Sequence, residues 1–352
     1  MSQDHSPTIP MLCHLQRSVL KCVRAGVSNH DTLVCLALIL VHLIPIWAFT
    51  YFPSQDGPAH LNNATIIREY YDRPVFREYY SLNKDLVPNW VGHLVLAGLM
   101  YLMPALVAEK MLLSGYVILL PVSLCYVLRT IRPDGAFLTV LIFPFIYNLL
   151  LHMGFYNFSY SLVMFFFVVG YWLKHYEGFT RRDMMMLTVL SLVLYFCHIV
   201  SFMTAYMAIG LLTMWFMGCD LVHQLRTRQF TLRALSAALR ARVLVPLSAL
   251  LPLLILVAIF LLQHGTTRGP APPAAHLWHR LYHLASLISY DEREGWWSTV
   301  FVWFFIALSG YVLVSKIVHR WGHRWDGLLL VVAGYSVVYF TAPDEMSGGG
   351  AD

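Results

Sequence analysis

Residues 33–60 read LVCLALILVHLIPIWAFTYFPSQDGPAH, and the change inside that stretch, from an apolar run to a polar loop with an acid and a histidine, decides the kind of protein this is. The run from Leu33 to Phe52 is long enough to cross roughly 30 Å of hydrocarbon. Arg17, Lys21 and Arg24 precede it, so it reads as an uncleaved signal anchor with a cytoplasmic N-terminus. A cleavable leader is disfavoured, because the run is too long and no small-x-small site precedes Pro53.

Composition says the same of the whole chain. With 58% hydrophobic and 12% charged residues among 352 and a mean hydropathy of +0.61, one water-soluble core could not hide the apolar surface. A polytopic membrane protein is expected. The net charge of +5 comes mainly from short basic loops, so it describes topology and no nucleic-acid partner is expected. Cys13, Cys22, Cys35, Cys125, Cys197 and Cys219 lack a C-x-x-C pair, which indicates neither a disulfide framework nor a zinc site.

Further apolar runs lie at 89–107, 111–128, 136–151, 158–174, 184–198, 199–217, 243–262, 296–315 and 327–341. Backbone groups in lipid need internal partners, and period-2 alternation is absent, so the fold class is all-α, a polytopic membrane helix bundle of about nine to ten spans. The basic connections Arg129/Arg132, Lys174/Arg181/Arg182, Arg226 to Arg242 and Lys316/Arg320/Arg324 should share the inner side. That holds for every run after residue 129 and fails before it, where one of two runs cannot cross. The run 89–107, with Gly92, His93, Gly98 and Pro104 and ending in Glu109-Lys110, is expected at the outer interface, leaving nine spans.

The expected organisation is a cytoplasmic segment 1–30, a transmembrane module 31–345 with outer loops 53–88 and 263–295, and a C-terminal end 346–352. In the first loop, Pro58 opens a short helix over Ala59 to Tyr71 and Arg73-Pro74 begins a second. Tyr70, Tyr71, Tyr79, Tyr80 and Trp90 suit the interfacial belt, so both helices should lie along the membrane surface.

Asp56 and His60 are four residues apart and can share a face. A carboxylate there can take a proton from an acceptor hydroxyl, or help hold a divalent cation against a phosphate. The plain alternative is an acid that caps the juxtamembrane helix. His198, at a junction of two spans with almost no loop, can donate to a phosphate or serve as a hydrogen-bonded bundle histidine. In loop 263–295, His276, His279 and His283 form one helical stripe beside Arg280, suited to an anionic lipid or sugar phosphate; a surface amphipathic helix is favoured over a metal site. The acids of Asp291-Glu292-Arg293-Glu294 read as a solvated loop.

A first span delivering an acidic x-D-G/E-x-x-H/Y loop to the outer face, followed by juxtamembrane helices and many further spans, resembles the C-type glycosyltransferase superfamily (GT-C), which includes protein O-mannosyltransferases and the aminoarabinose transferases of lipid A. The resemblance implies a donor sugar on a polyprenyl phosphate, with Asp56 as the catalytic acid of the first loop. It also implies a juxtamembrane apolar segment before the second span. Where metal-dependent relatives carry a second acid, this chain has Asn157, whose amide can orient a phosphate or a sugar hydroxyl. The family pattern leads one to expect spans beyond Asp352.

The expected activity is therefore sugar transfer at the extracytoplasmic face of a cell membrane. Asp56 is the expected base, with His60, Asn157, His198, His279 and Arg280 as substrate contacts; the partners are the lipid-linked donor and membrane lipid. A lipid or sugar transporter or flippase, and a non-catalytic relative, are the alternatives.

Overall fold

The structure, a computed structural model, describes residues 29–83, 85–264, 293, 295–319 and 323–341. Every regular element among them is helical, with no strand. Helix α1 is Asn29–Ala48, α2 Gly57–Glu69, α3 Pro74–Tyr79, α4 Val91–Leu99 and α5 Ala105–Ile131. A 3-10 stretch, Pro133–Phe145, leads to α6 Leu149–His152, α7 Tyr156–His175, α8 Arg181–Cys197 and α9 Ile199–Arg226. Then come α10 Leu232–Leu239, α11 Val245–His264, α12 Gly295–His319 and α13 Gly327–Thr341.

Five of these, α1, α5, α7, α9 and α12, are long and apolar enough to cross a membrane, so the architecture is that of a multi-pass membrane bundle. Almost none of the apolar window of α1, and none of that of α12, is buried within the chain. Side chains such as Leu40, Trp303 and Val318 are exposed along them, an apolar surface that a lipid environment covers and water would not.

The helix count is lower than the sequence suggests, for three reasons, one being that the run 243–262 lies in a helix pair bent by 52° rather than in one straight span. Helices α8 and α13 have 17 and 15 residues, about 25 and 22 Å at 1.5 Å per residue, short of roughly 30 Å of hydrocarbon. The run 136–151 is not one α-helix. Pro144 removes a backbone donor, and Asn148 caps a new turn by accepting from the Leu151 N–H at 3.0 Å, which divides the run into the 3-10 stretch and α6.

The surface helices of the first loop form where Pro58 and Pro74 start them. Helix α4 is only nine residues long, about 14 Å, and cannot span. It is held to α2 instead: the Arg68 guanidinium donates to the Met100 carbonyl at 2.8 Å, and the Tyr101 hydroxyl to the Arg68 carbonyl at 3.2 Å. Segment 89–107 thus stays with the first loop and contains no helix long enough to cross.

Two apolar clusters make the core. One joins α1, α2, α4, α5, the 3-10 stretch and α7 through Ile46, Ala64, Leu96, Leu112, Phe143 and Val163. The other joins α7, α8, α9, α11 and α13 through Trp172, Leu194, Phe202, Phe216, Leu253 and Val331. Helix α7 belongs to both, with its first turn at the Asp56 end of the bundle and its last about 30 Å away at 1.5 Å per residue.

Candidate functional site

Helix α1 ends before Pro53, and residues 53–57 turn across the loop that joins α6 to α7. The turn is fastened repeatedly. The Gln55 N–H donates to the His152 carbonyl at 2.8 Å, the Asp56 N–H to the Met153 carbonyl at 3.1 Å, and the His152 Nδ1–H to the Pro53 carbonyl at 3.0 Å. Such closeness needs Gly154, whose φ of +90° is in the left-handed region and whose missing Cβ would stand 2.9 Å from the Asp56 backbone nitrogen.

Beneath the turn is a buried polar chain. Tyr156 donates its hydroxyl to Glu109 Oε1 at 2.6 Å and accepts from Ser54 Oγ at 2.8 Å. Glu109 is 5% exposed, and Gly57 packs directly over this cluster, with no room for a Cβ among the three side chains. A buried carboxyl near the start of a membrane-length helix is costly unless it is hydrogen-bonded, and Tyr156 supplies that bond.

Asp56 occupies the N-cap position of α2, but its side chain makes no capping hydrogen bond. The plain alternative, an acid used up by its own helix, therefore fails on geometry. Asp56 is half-buried and its backbone N–H is fixed to the Met153 carbonyl, so the residue is held in place without spending its side chain on the cap.

His60 is one turn further along α2. Its Nδ1 lies 2.8 Å from His93 Nε2 on α4, and its ring stacks on Tyr156 at 5.1 Å. Desolvation by burial holds both imidazoles below their usual pKa, and the neighbouring His60 helps push His93 down to about 4. At neutral pH the pair is uncharged. His60 is engaged by His93 on one side and by the Gly154 backbone on another, with the Asp56 charge near enough to be felt.

Asn157 has a different place from the substrate contact expected of it. It is 5% exposed, its Oδ1 accepts from the Gly92 N–H at 2.6 Å, and its Nδ2 donates to the Asn89 carbonyl at 2.8 Å. Both ends of the amide hold the start of α4, where Asn89 has a φ of +69°. It is a positioning residue: it sets α4, and α4 sets His93 against His60. His198 lies between α8 and α9 in an extended conformation, edge-on to Phe158 at 5.2 Å, and desolvation by burial keeps its imidazole below the ordinary value. Its Nδ1 reaches Ser201 Oγ only at 3.5 Å, which leaves it weakly engaged.

His279 and Arg280 lie outside the described residues, as do loop 265–292 and the segments before 29 and after 341. No group of three or more His, Cys, Asp or Glu side chains capable of holding a metal ion occurs among the described residues, and the Asn157 oxygen is committed to a backbone amide.

Sequence reasoning passed over Glu109, Tyr156, Ser54 and the pairing of His93. The one available signal was the acid itself: Glu109 sits just inside a helix that runs on to Ile131, although hydropathy placed it at the end of the preceding run. No protein family, curated protein or solved structure matches this chain.

Proposed function

We propose that the chain is an integral membrane glycosyltransferase that moves a sugar from a polyprenyl-phosphate carrier to a hydroxyl acceptor at the extracytoplasmic face, with Asp56 as general base. The observation that carries this reading is the Asp56 carboxylate: it is held by a turn pinned on the α6–α7 loop, next to the bundle, and makes no capping bond to its own helix.

The chemistry follows from that placement. A lipid-linked donor keeps its tail in the bilayer while its anomeric carbon rises to the loop level. Asp56 takes the acceptor proton, the acceptor oxygen bonds to the anomeric carbon, and the carbon–oxygen bond to phosphate breaks with its electron pair leaving on the polyprenyl phosphate. The neutral imidazole of His198, weakly engaged at 3.5 Å by Ser201, is the described donor for that leaving oxygen, with Arg280 of the following loop as a further one.

The test uses the full chain in lipid with polyprenyl-phosphate-linked hexoses and pentoses, membrane extract as acceptor, and release of free polyprenyl phosphate as readout. Asp56→Asn is expected to lower release about 10²- to 10⁴-fold with an unchanged unfolding midpoint. Unchanged release removes the proposed base.

A second reading, a lipid carrier, is favoured by one observation, the 52° bend between Leu232–Ser248 and Leu250–Gln263, since broken helices mark many transporters. It is separated by following the intact lipid-linked sugar, which a carrier would move between leaflets without cleavage. Against it, Glu109 lies only four residues, about 6 Å, from the start of α5, near a membrane face.

A further inference from the structure

At the other end of α7 the chemistry changes from neutral hydrogen bonds to arginines. The Arg242 guanidinium bridges Glu177 at 2.5 Å and Asp220, and Arg324 reaches the other oxygen of Glu177 at 2.6 Å. Both guanidiniums lie over the Tyr176 ring, at 5.1 and 5.2 Å from its centroid. Glu177 and Asp220 are therefore taken.

Beyond them the charge is one-sided. Arg226, Arg228, Arg233 and Arg240 are exposed, none is in an ion pair among the described residues, and no Asp or Glu occurs from residue 221 to 290. They are mounted on an elbow. Arg228, at φ +55°, reverses the chain after α9, and Thr231 caps α10 by accepting from the Ala234 N–H at 3.1 Å. Arg233 on α10 and Arg240 just past its end are seven residues apart, while Leu232, Leu235 and Leu239 form an apolar stripe along α10. Leu232 is 76% exposed. The helix continuing from α10 meets the rest of α11 at 52°, so it is inclined to that span rather than collinear with it.

Between α9 and α10 is a cavity of about 230 Å³ whose walls divide by chemistry: Met217, Leu221, Leu235 and Ala238 are apolar, Gln224 and Arg242 polar. Asp220 and His223 also line it, and the Asp220 charge is matched by Arg242. A small amphipathic recess beneath a helix that carries an apolar stripe, with exposed arginines on and beside it, has the form of a phospholipid site.

We propose that the α9–α10 elbow binds anionic phospholipids of the cytoplasmic leaflet, with the headgroup phosphate on Arg226, Arg228, Arg233 and Arg240 and the glycerol and first acyl carbons in the α9–α10 cavity. The leaflet is assigned by the arginines themselves, which lie on the positive side of the chain's charge distribution. The site is independent of the sugar-transfer reading.

The experiment is competitive lipid retention by native mass spectrometry of the full chain in detergent. It is supplied with equimolar dioleoyl phosphatidylglycerol and dioleoyl phosphatidylcholine, with glycerol 1-phosphate as the soluble comparison. The anionic lipid is expected to be retained at least tenfold over the zwitterionic one. A single Arg→Gln change at 226, 228, 233 or 240 should lower that preference by about fivefold, and raising the salt before transfer should weaken it. Equal retention of the two lipids, or an unchanged preference in R226Q/R228Q/R233Q/R240Q, overturns the proposal. Displacement of the lipid by millimolar glycerol 1-phosphate also overturns it, because it would identify a soluble phosphate ligand. Should the quadruple variant fail to fold, the four single variants, each of an exposed side chain, decide the outcome.

Discussion

The two ends of α7 hold their surroundings by opposite means. At Tyr156, hydrogen bonds without an ion pair do the holding: backbone amides, the Asn157 carboxamide, a phenol on the buried Glu109 carboxyl and a pair of uncharged imidazoles. At Glu177, the holding is ionic, with Arg242 and Arg324 clamping one carboxylate. The difference teaches what each end leaves over. A scaffold of neutral bonds leaves the one charged side chain of its turn, Asp56, unspent, whereas the ionic scaffold consumes its acids and leaves a surplus of arginine. Where charge is left over, it can act on something outside the chain.

That contrast can be broken by experiment. Beside the loss of sugar release expected for Asp56→Asn, the largest effect should come from Asn157→Leu. It strands the Gly92 N–H and the Asn89 carbonyl, and each unmade buried bond costs about 1–3 kcal/mol. Denaturant unfolding should show a loss of about 2–6 kcal/mol, with hydrogen exchange rising first at residues 89–99. Uniform exchange across α7 would show that the amide supports the whole bundle rather than α4.

Acidification comes next. Because His60 and His93 have lowered pKa values in the folded chain, the unfolded chain binds more protons between the ordinary histidine value, near 6.5, and about 4. Stability is fully present above that window and falls as pH drops through it. The unfolding midpoint should decline from pH 6.5 to 4, and His93→Gln should flatten the decline. A slope unaffected by that substitution would assign the acid sensitivity elsewhere.

The smallest effect is expected at the arginine end. Arg324→Gln removes one limb of an ion pair whose partners are 42% and 58% exposed, worth about 0–1 kcal/mol and less in high salt. A loss well above that, insensitive to salt, would mean that the stacking of Arg324 on Tyr176 and Phe216, rather than its charge, matters.

Much of the architecture could be read from residues alone. Pro58 and Pro74 mark the starts of the two short helices of the first loop, the crowding of two apolar runs at His198 marks the α8–α9 junction, and the charge pattern singles out 89–107, which holds no helix of spanning length. What hydropathy could not see was backbone geometry and partnership. An apolar run of sixteen residues looks the same whether Pro144 and Asn148 divide it or not. Asn157 looked like a group free to meet substrate because its partners, Gly92 and Asn89, are 65 and 68 residues away in sequence. Asp56 was visible because a lone acid after an apolar run is conspicuous. Glu109 was not, because its burial depends on Tyr156 and Gly57, neither of which is near it in the chain.

The membership of α7 in both apolar clusters bears on biosynthesis. A nascent chain that has emerged only as far as α6 lacks a wall of its first cluster, and one begun at α8 lacks a wall of its second. A two-plasmid version of the protein should therefore reassemble when divided in the exposed turn at 227–230, where α7 remains with α1, and should fail when divided between Gly154 and Glu177.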